Sequence, residues 1–495
     1  MMYLKRYLHI VSLAIVLSFS SAKMIAQCYP DKIVTAAFAT QGASPYIDEV
    51  LWLTWGSTNQ QTYPYGRHNQ SLSVGSTSYA SISLGDGKYL CIEAEITSIS
   101  GGAIKSYAPG NWQGDYMDDL YNIGGTGTNN QLISGISTSS STPTITIKCK
   151  ASIDGEPIRI PGLVIGDAES LNNSGEFINV TADGTWNLVE VKKNTSAGPY
   201  NVRKEIVFAG GNPTSSRTMK FLIGNDNNTM AVSFLKFNES AYNIVGPNPD
   251  LSVTFSSTFR GGGTTAIALG LLPPAVDGGD APISYGKPLH LIQKLDFTSD
   301  NIVPVNEGNT SVTNINTTGY TPGALVDNLS LSHLGSTIPD TENFSQNSND
   351  ALGDDTNGPA GTNEEDAWPA EYKRFSYKAN YMPGNLITAT IPYTAEADSY
   401  ITGWIDFDLD GEFEANERQE VFAPATGGVG GTAILEWQIP GFRRPYSTFV
   451  RLRISKESNI SSEQLVNTGE VEDHKMFILG PAVTNPMLQS KANNN

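Results

Sequence analysis

Short runs of alternating apolar and polar residues recur over most of this chain, and they constrain its fold more than any other feature. Between Cys28 and Leu272 such runs include SYASISL, YLCIEAEITSI, PTITIKCKASI and TMKFLIG, separated by segments rich in Gly, Ser, Asn and Thr. A period of two residues places successive side chains on opposite faces of a strand. Apolar spacing typical of helices is almost absent. The pattern predicts an all-β, lectin-like or jelly-roll sandwich over residues 28–272.

Composition divides the rest of the chain. Residues 273–295 include the run PPAVDGGDAPISYG, whose Pro, Gly and Asp content favours a linker. Strand-like runs resume further on, among them NLITATIPYT, SYITGWIDFD, GTAILEWQIP and YSTFVRLRIS. We therefore predict a second, smaller β-sandwich over residues 296–480. The polar residues 481–495 are expected to form a disordered tail.

The first 27 residues have the layout of a secretory signal. Lys5 and Arg6 precede the apolar run Ile10 to Phe19, which is followed by the small residues Ser20 to Ala22. The run is too short to span a bilayer, and no later segment is long and apolar enough to do so. We expect a secreted or surface-associated protein.

The charge of the chain restricts its partners. The formal net charge is −19, which disfavours binding to nucleic acid or to an anionic membrane. An excess of carboxylates suits divalent cations, solubility outside the cell or basic protein partners.

Three cysteines, Cys28, Cys91 and Cys149, are present without a CxxC pair. In an oxidising compartment, one disulfide and one free thiol is the simplest arrangement. Cys91 and Cys149 both lie in predicted strands, which favours that pair, although the sequence leaves the connectivity open.

The stretch DFDLDGEFEANE, residues 406–417, has acidic residues at loop positions 1, 3, 5 and 12 and glycine at position 6, which is the ligand pattern of an EF-hand calcium loop. Oxygen ligation of this density selects Ca²⁺ over Mg²⁺. The expected ligands are the carboxylates of Asp406, Asp408, Asp410 and Glu417 and the backbone carbonyl of Glu412.

The flanks of this loop exclude an EF-hand. YITGWI precedes it and RQEVFA follows it, and neither segment has the length or the propensity of a helix. The loop is therefore predicted to join two strands, with Phe413 pointing inward and calcium acting as a structural staple rather than as a signal. An acidic, solvent-facing hairpin without an ion is the alternative.

A second cluster combines acids with aromatic rings. The stretch NWQGDYMDDLY contains Trp112, Asp115, Tyr116, Asp118 and Asp119. Such a loop suits a sugar or a protein ligand by ring stacking and hydrogen bonding. Two of these acids could instead be the carboxylate pair of a glycoside hydrolase, or the stretch could be an ordinary surface loop.

Other chemistry finds little support. The histidines beyond the signal, His68, His290, His333 and His474, are scattered and lack HExxH or HxH spacing, which argues against zinc. The sequence contains no GxSxG elbow and no phosphate-binding P-loop.

Two known families share motifs with this chain. TGEVEDHKMFI, Thr468 to Ile478, resembles the signature of the GEVED domain of bacterial secreted and surface proteins. The acidic entry LGDDTNGPAGTNEEDAW and the loop GWIDFDLDGEFEANE resemble that family's other marks. The family usually has Tyr where this chain has His474. The resemblance implies that Glu470, Glu472 or Asp473 contributes to a metal shell, with Asp354 and Asp355 as further ligands; the alternative is that this strand faces solvent or pairs with Arg451 and Arg453.

The N-terminal region is similar to the lectin-like non-repetitive domain of CshA-type surface adhesins. The residues that carry this are LVIGDAESLNNSGEFINVTADGTWNLVE and the exit TTAIALGLLPPAVDGGDAPISYG. The resemblance implies a non-catalytic β-sandwich that binds a host matrix glycoprotein, such as fibronectin, or a glycan. A bacterial adhesin is therefore the leading hypothesis, and a polysaccharide-acting hydrolase and a structural envelope component are the alternatives.

Overall fold

The computed structural model describes a large part of the chain: residues 28, 36–56, 69–84, 87–107, 117–123, 135–139, 141–167, 171, 175–193, 201–222, 229–292, 295–300, 302–304, 312–313, 323–326, 332–339, 347–353, 363–376, 386–440 and 445–479. The predicted signal and tail lie outside this part. Secondary structure within it is almost entirely β, which confirms the predicted fold class. The helical elements described are α1 (Met117–Leu120) and 3₁₀ turns at Glu239–Ala241, Ile283–Tyr285 and Ala370–Tyr372, and among the described residues no helix could cross a membrane.

The first group of strands forms the N-terminal sandwich, whose members are joined by pairing. It consists of β1 (Ala37–Phe38), β2 (Leu51–Trp52), β3 (Ser71–Leu72), β4 (Thr77–Ser83), β5 (Tyr89–Ser100), β6 (Ile104–Tyr107), β7 (Gly135–Ser139), β8 (Thr144–Ile153), β9 (Glu156–Ile158), β10 (Gly162–Asp167), β11 (Phe177–Lys193), β12 (Asn201–Ala209), β13 (Asn212–Leu222), β14 (Thr229–Phe237), β15 (Val253–Arg260) and β16 (Thr264–Leu272).

The long strand β11 connects the two faces of this sandwich. Its first half pairs with β13 and β15, and its second half pairs with β14. In β5 the buried side chains alternate with partly exposed ones, as the sequence pattern predicts. Strand β16 is buried on both faces: Ile267, Leu269 and Leu271 join one apolar cluster, while Ala266 and Ala268 join another. Such a strand has a continuous apolar sequence because it has no solvent face.

The disulfide differs from the favoured pair. Cys28 is bonded to Cys91, and Cys149 is a buried free thiol. Cys149 lies opposite Ala94 across the β5–β8 ladder, whereas Cys91 lies opposite Ser152. Cys91 and Cys149 thus belong to opposite faces of the sheet, because they are an odd number of positions apart in this register. The prediction of a Cys91–Cys149 bond was wrong, although one disulfide with one free thiol is what the structure contains.

The remaining strands include a second, smaller sandwich. In order they are β17 (Ala275–Gly278), β18 (Leu289–Ile292), β19 (Val312–Thr313), β20 (His333–Leu334), β21 (Arg374–Ser376), β22 (Leu386–Thr394), β23 (Ser399–Ile405), β24 (Arg418–Ala423), β25 (Gly431–Gln438), β26 (Tyr446–Ser455), β27 (Leu465–Val466) and β28 (Glu470–Leu479). A five-stranded sheet, β21–β28–β26–β23–β24, and a three-stranded sheet, β20–β22–β25, enclose a shared apolar core. We call β20–β28 the C-terminal unit.

Two segments lie elsewhere than the predicted boundaries imply. The described residues between 296 and 326, assigned from sequence to the second sandwich, contact the first one: Asp300 pairs with Lys204 at 2.9 Å, and β19 pairs with β12. Residues 275–292, assigned to the linker, contain β17 and β18, which pair with each other. Strand β18 also pairs with β27. Pro- and Gly-rich composition indicated an irregular chain path there, but it carries no information about whether that path is buried.

Candidate metal centre

The acidic loop 406–417 joins β23 to β24, as predicted, and not two helices. The strands close its base by pairing Trp404 with Arg418. The indole Nε1 of Trp437 donates a hydrogen bond of 2.8 Å to the carbonyl of Glu417. The base of the loop is therefore fixed to both sheets of the C-terminal unit.

Two groups of carboxylates meet within this loop. Asp406, Asp408 and Glu417 each offer an oxygen, and these oxygens lie within 4.8 Å of one another; Asp408, Asp410 and Glu414 form a second such group. Asp408 belongs to both. Asp406 and Glu417 are buried, while Asp408 and Asp410 are exposed. The structure thus distributes the four predicted carboxylate ligands over two groups that share Asp408.

Glu414 was not predicted as a ligand from the sequence. It occupies loop position 9, at which calcium loops often bind the ion through a water molecule, so the ligand pattern itself contained the signal. Glu412, predicted to contribute its carbonyl, has an exposed side chain, and its backbone N–H donates a 2.9 Å hydrogen bond to Asp410.

Backbone hydrogen bonds hold the carboxylates in place. Oδ1 of Asp406 accepts a bond of 2.6 Å from the N–H of Leu409, and Oδ1 of Asp408 accepts one of 3.2 Å from the N–H of Asp410. The two oxygens of Glu417 accept bonds from the N–H groups of Phe407 and Glu414. Gly411 has φ = 87°, a left-handed conformation that favours glycine at the sharp bend.

The electrostatics of the loop favour a cation. Burial raises the pKa of Glu417 to about 7, with Asp406 and Asp408 adding to the increase and backbone hydrogen bonds opposing it. Like charges held this close destabilise each other's ionised form. A hard divalent ion would offset that repulsion and would find only oxygen donors here, so the residues fit calcium.

An aromatic layer lies behind the loop. Phe413 is buried, as predicted, and its ring lies 4.6 Å from that of Tyr285. The Tyr285 hydroxyl donates a 2.6 Å hydrogen bond to Oδ2 of Asp406. Tyr285 belongs to the segment between β17 and β18, so this segment is attached directly to a candidate metal ligand.

Strand β28, which contains the GEVED signature, is buried on both faces. Glu470, Glu472 and His474 are buried on one face of the strand. On the neighbouring strand β26, Leu452 lies opposite Glu472. Asp473 lies on the other face. Gly469 precedes the strand with φ = 93°, and a Cβ at this position would lie 1.7 Å from the Ile454 carbonyl oxygen. Any other residue would displace the start of the strand.

Asp473 forms a buried ion pair. It accepts hydrogen bonds of 2.7 Å from both Nε and Nη2 of Arg451, and one of 2.9 Å from the N–H of Ala281. Both charged side chains have no exposed surface. In this arrangement Asp473 is a partner of Arg451, the alternative that the sequence left open.

Arg453, the other arginine considered, donates to Nε2 of His290 at 2.9 Å. The other ring nitrogen, Nδ1, lies 2.9 Å from the Thr468 carbonyl oxygen. Because Nε2 accepts from Arg453, Nδ1 carries the proton of the neutral ring and donates a hydrogen bond to this carbonyl. Burial lowers the pKa of His290 well below its usual range, and Arg453 adds to this effect. Through Ala281 and His290, the segment 275–292 therefore covers the face of β26 and β28 that lies away from the apolar core.

The two glutamates of the signature lie on the interior side. Oε2 of Glu470 accepts a hydrogen bond from the N–H of Leu334, and Oε2 of Glu472 accepts one of 2.9 Å from the N–H of Ala367. Burial raises the pKa of Glu470 well above its usual range, and Glu472 adds to this effect. Of the acidic entry, Asp354 and Asp355 lie outside the described residues, whereas its later part, 363–368, is described and contacts β28.

The predicted ligand loop of the N-terminal sandwich is described only in part. Trp112, Asp115 and Tyr116 lie outside the described residues. Asp118 and Asp119 belong to α1, but their side chains are not described. Tyr121, directly after α1, is buried, and its hydroxyl donates a hydrogen bond to Glu190.

A cavity of about 420 Å³ lies where the N-terminal sandwich meets the segment leading to β17. Its lining combines apolar side chains with two carboxylates: Phe38, Asp48, Glu49, Ile82, Leu84, Leu90 and residues 273–276.

Two family models match separate parts of the chain. Residues 48–272 match the family model for surface adhesin CshA non-repetitive domain 2, and residues 400–477 match the GEVED domain. Both resemblances noted in the sequence are confirmed. No curated protein was found to match the chain. Among solved structures, the N-terminal domain of the Streptococcus gordonii adhesin Sgo0707 aligns with 90% of this chain and 88% of its own, at 7% identity and a TM-score of 0.31, a likeness too low to carry an argument.

Proposed function

We propose that this protein is a secreted or surface-attached adhesin that binds a matrix glycoprotein or a glycan through its N-terminal sandwich. The chain matches a CshA-type adhesin domain and a GEVED domain. The observation that carries the proposal is the match of residues 48–272 to an adhesin domain. The acidic and aromatic stretch 112–119 supplies the chemistry that such a ligand needs, because aromatic rings stack on sugars and carboxylates bond hydroxyl groups.

Calcium is the second part of the proposal. We place one ion among Asp406, Asp408 and Glu417, with Asp410 and Glu414 next to it. Extracellular calcium sites of this type have affinities of roughly 10⁻⁴ to 10⁻³ M, so an ion would be bound outside the cell and released by a chelator. Its role is structural: it would stiffen the loop and, through the bond between Tyr285 and Asp406, the segment that leads from the N-terminal sandwich.

The test measures binding of the chain from residue 28 onward to immobilised fibronectin, other matrix glycoproteins and a glycan panel. The variant Trp112→Ala with Asp115→Asn and Asp119→Asn should lose binding. Glu239→Gln is the matched control, because Glu239 is an acid of the same sandwich whose side chain is 80% exposed.

Absence of binding to every matrix protein and glycan would refute the adhesin proposal. Equal binding by the triple variant would move the ligand site away from residues 112–119. Turnover of a polysaccharide that the triple variant no longer cleaves would replace the adhesin by a hydrolase.

A further inference from the structure

The interior face of β28 contains polar side chains where a sandwich core is expected to be apolar. Glu472 and His474 lie opposite Leu452 and Val450 of β26, which belong to the core of the C-terminal unit. Glu365 approaches the same face from the acidic entry and is 4% exposed. Burying charged groups in such a core is costly unless they are paired or coordinate a metal.

These three side chains place their donor atoms close together. Nε2 of His474 lies 2.8 Å from Oε2 of Glu472 and 3.8 Å from Oε2 of Glu365, and all three residues offer a ligand atom within 4.8 Å of the others. Ligand atoms around a tetrahedral ion with bonds of about 2.1 Å are separated by about 3.4 Å. The observed separations bracket that value.

Neighbouring groups hold the donors in this arrangement. The indole of Trp368 stacks on the His474 ring, with centroids 6.4 Å apart and planes inclined by 25°. The N–H of Ala367 donates to Oε2 of Glu472. Both contacts come from the segment that carries Glu365, so folding of this segment against β28 would assemble the three donors together.

One buried oxygen independently indicates a missing ligand. Oε1 of Glu472 is buried and accepts no hydrogen bond from any described residue, while Oε2 of the same group is bonded. A buried polar atom without a partner needs a physical explanation, because removing it from water without a replacement hydrogen bond is unfavourable, and more so when it is charged. This oxygen is available as a fourth donor.

We propose that Glu365, Glu472 and His474 bind a structural divalent transition-metal ion, with zinc as the ion that fits best. A divalent cation with two carboxylates and a neutral imidazole has no net charge, so the site becomes compatible with the apolar core around it. An imidazole nitrogen favours zinc over calcium, which takes oxygen ligands. The site is separate from the acidic loop and does not depend on the adhesin proposal.

The proposed site revises one expectation from the sequence. Scattered histidines argued against zinc because local motifs such as HExxH were absent. Here the three donors come from two segments that are far apart in the chain. His474 stands where the GEVED resemblance leads one to expect Tyr, and a Tyr would not supply the imidazole nitrogen of the proposed site.

The test measures metal bound by the chain from residue 28 onward, purified without chelator, by elemental mass spectrometry. The metal-free protein is then titrated with Zn²⁺ and with Co²⁺, whose visible absorption reports nitrogen and oxygen ligation. We expect one zinc per chain. The Zn²⁺ affinity of His474→Tyr should fall by more than the roughly 10- to 100-fold that loss of an outer partner costs.

Two further variants separate the proposal from loss of folding and from the acidic loop. Glu365→Gln is nearly isosteric and should lose zinc while keeping the far-ultraviolet spectrum of the native protein. Asp408→Asn, in the acidic loop, should leave zinc binding unchanged.

The proposal is overturned if the wild-type chain binds no zinc or cobalt at micromolar free metal. It is also overturned if it binds calcium alone, or if folded Glu365→Gln binds zinc as tightly as the wild type. The wild-type titration decides the first two outcomes even if no variant folds.

Discussion

Replacing Asp473 by Asn should destabilise the C-terminal unit strongly, because it leaves the charge of Arg451 buried without a counter-charge. Both side chains have no exposed surface, and Asp473 accepts two hydrogen bonds of 2.7 Å from the guanidinium. An asparagine has the same shape but no charge. Its NH2 group would face a guanidinium N–H, so two donors would meet where Asp473 supplies an acceptor. Removing one partner of a buried pair costs about 3–5 kcal/mol.

A surface pair provides the matched control. Lys456 and Glu396 are also separated by 2.7 Å, but their side chains are 39% and 36% exposed. Solvent screening reduces the contribution of such a pair to about 0–1 kcal/mol, so Glu396→Gln should change stability little. The two substitutions therefore differ in burial and hardly at all in ion-pair distance.

The assay is urea unfolding, monitored by hydrogen-exchange mass spectrometry of peptides from β26 and β28. Peptide-level readout is needed because a chain with two sandwiches does not unfold as one two-state unit. We expect Asp473→Asn to reduce the local free energy of opening by about 3–5 kcal/mol. If both substitutions cost the same, burial does not determine the strength of this pair and the reasoning is refuted.

Four further predictions concern the acidic loop, the segment 275–292, the disulfide and the free thiol. Chelation of calcium, or Asp408→Ala, should lower the melting temperature of the C-terminal unit and leave the N-terminal sandwich unchanged; at a calcium concentration of 100 times Kd the bound ion contributes about 2.7 kcal/mol. Tyr285→Phe removes a hydrogen bond to the buried carboxylate of Asp406 and should cost about 1–3 kcal/mol, measured by urea unfolding. Cys28→Ser should destabilise the N-terminal sandwich by about 2–4 kcal/mol. Cys149 should resist alkylation in the native protein, since it is buried and burial raises the pKa of its thiol.

Two of these predictions have a control variant within the chain. Glu412→Gln changes an exposed acid of the same loop that belongs to neither carboxylate group, and a calcium effect as large as that of Asp408→Ala would contradict the proposed ligands. Tyr400→Phe keeps a ring that packs on Phe422 and should cost less than Tyr285→Phe. Rapid alkylation of Cys149 without denaturant would contradict its burial.

The sequence alone determined those features that depend on neighbouring residues. Alternation with a period of two predicts strands wherever it occurs, because it reports which side chains face inward and needs no knowledge of the partner strand. The ligand pattern of residues 406–417 could be recognised for the same reason, since its carboxylates lie in one short loop. Flanks without helical propensity were enough to predict that this loop joins two strands.

The tertiary structure decided which distant segments meet. A two-residue period assigns side chains to a face but does not specify strand register, so the exclusion of Cys149 as the partner of Cys91 depended on the β5–β8 pairing. The same holds for Asp473, whose partner Arg451 is selected by the register of β26 against β28. Glu365 meets His474 only because the acidic entry packs against the buried face of β28. Such contacts are set by packing between segments, and the local sequence of each segment contains no record of them.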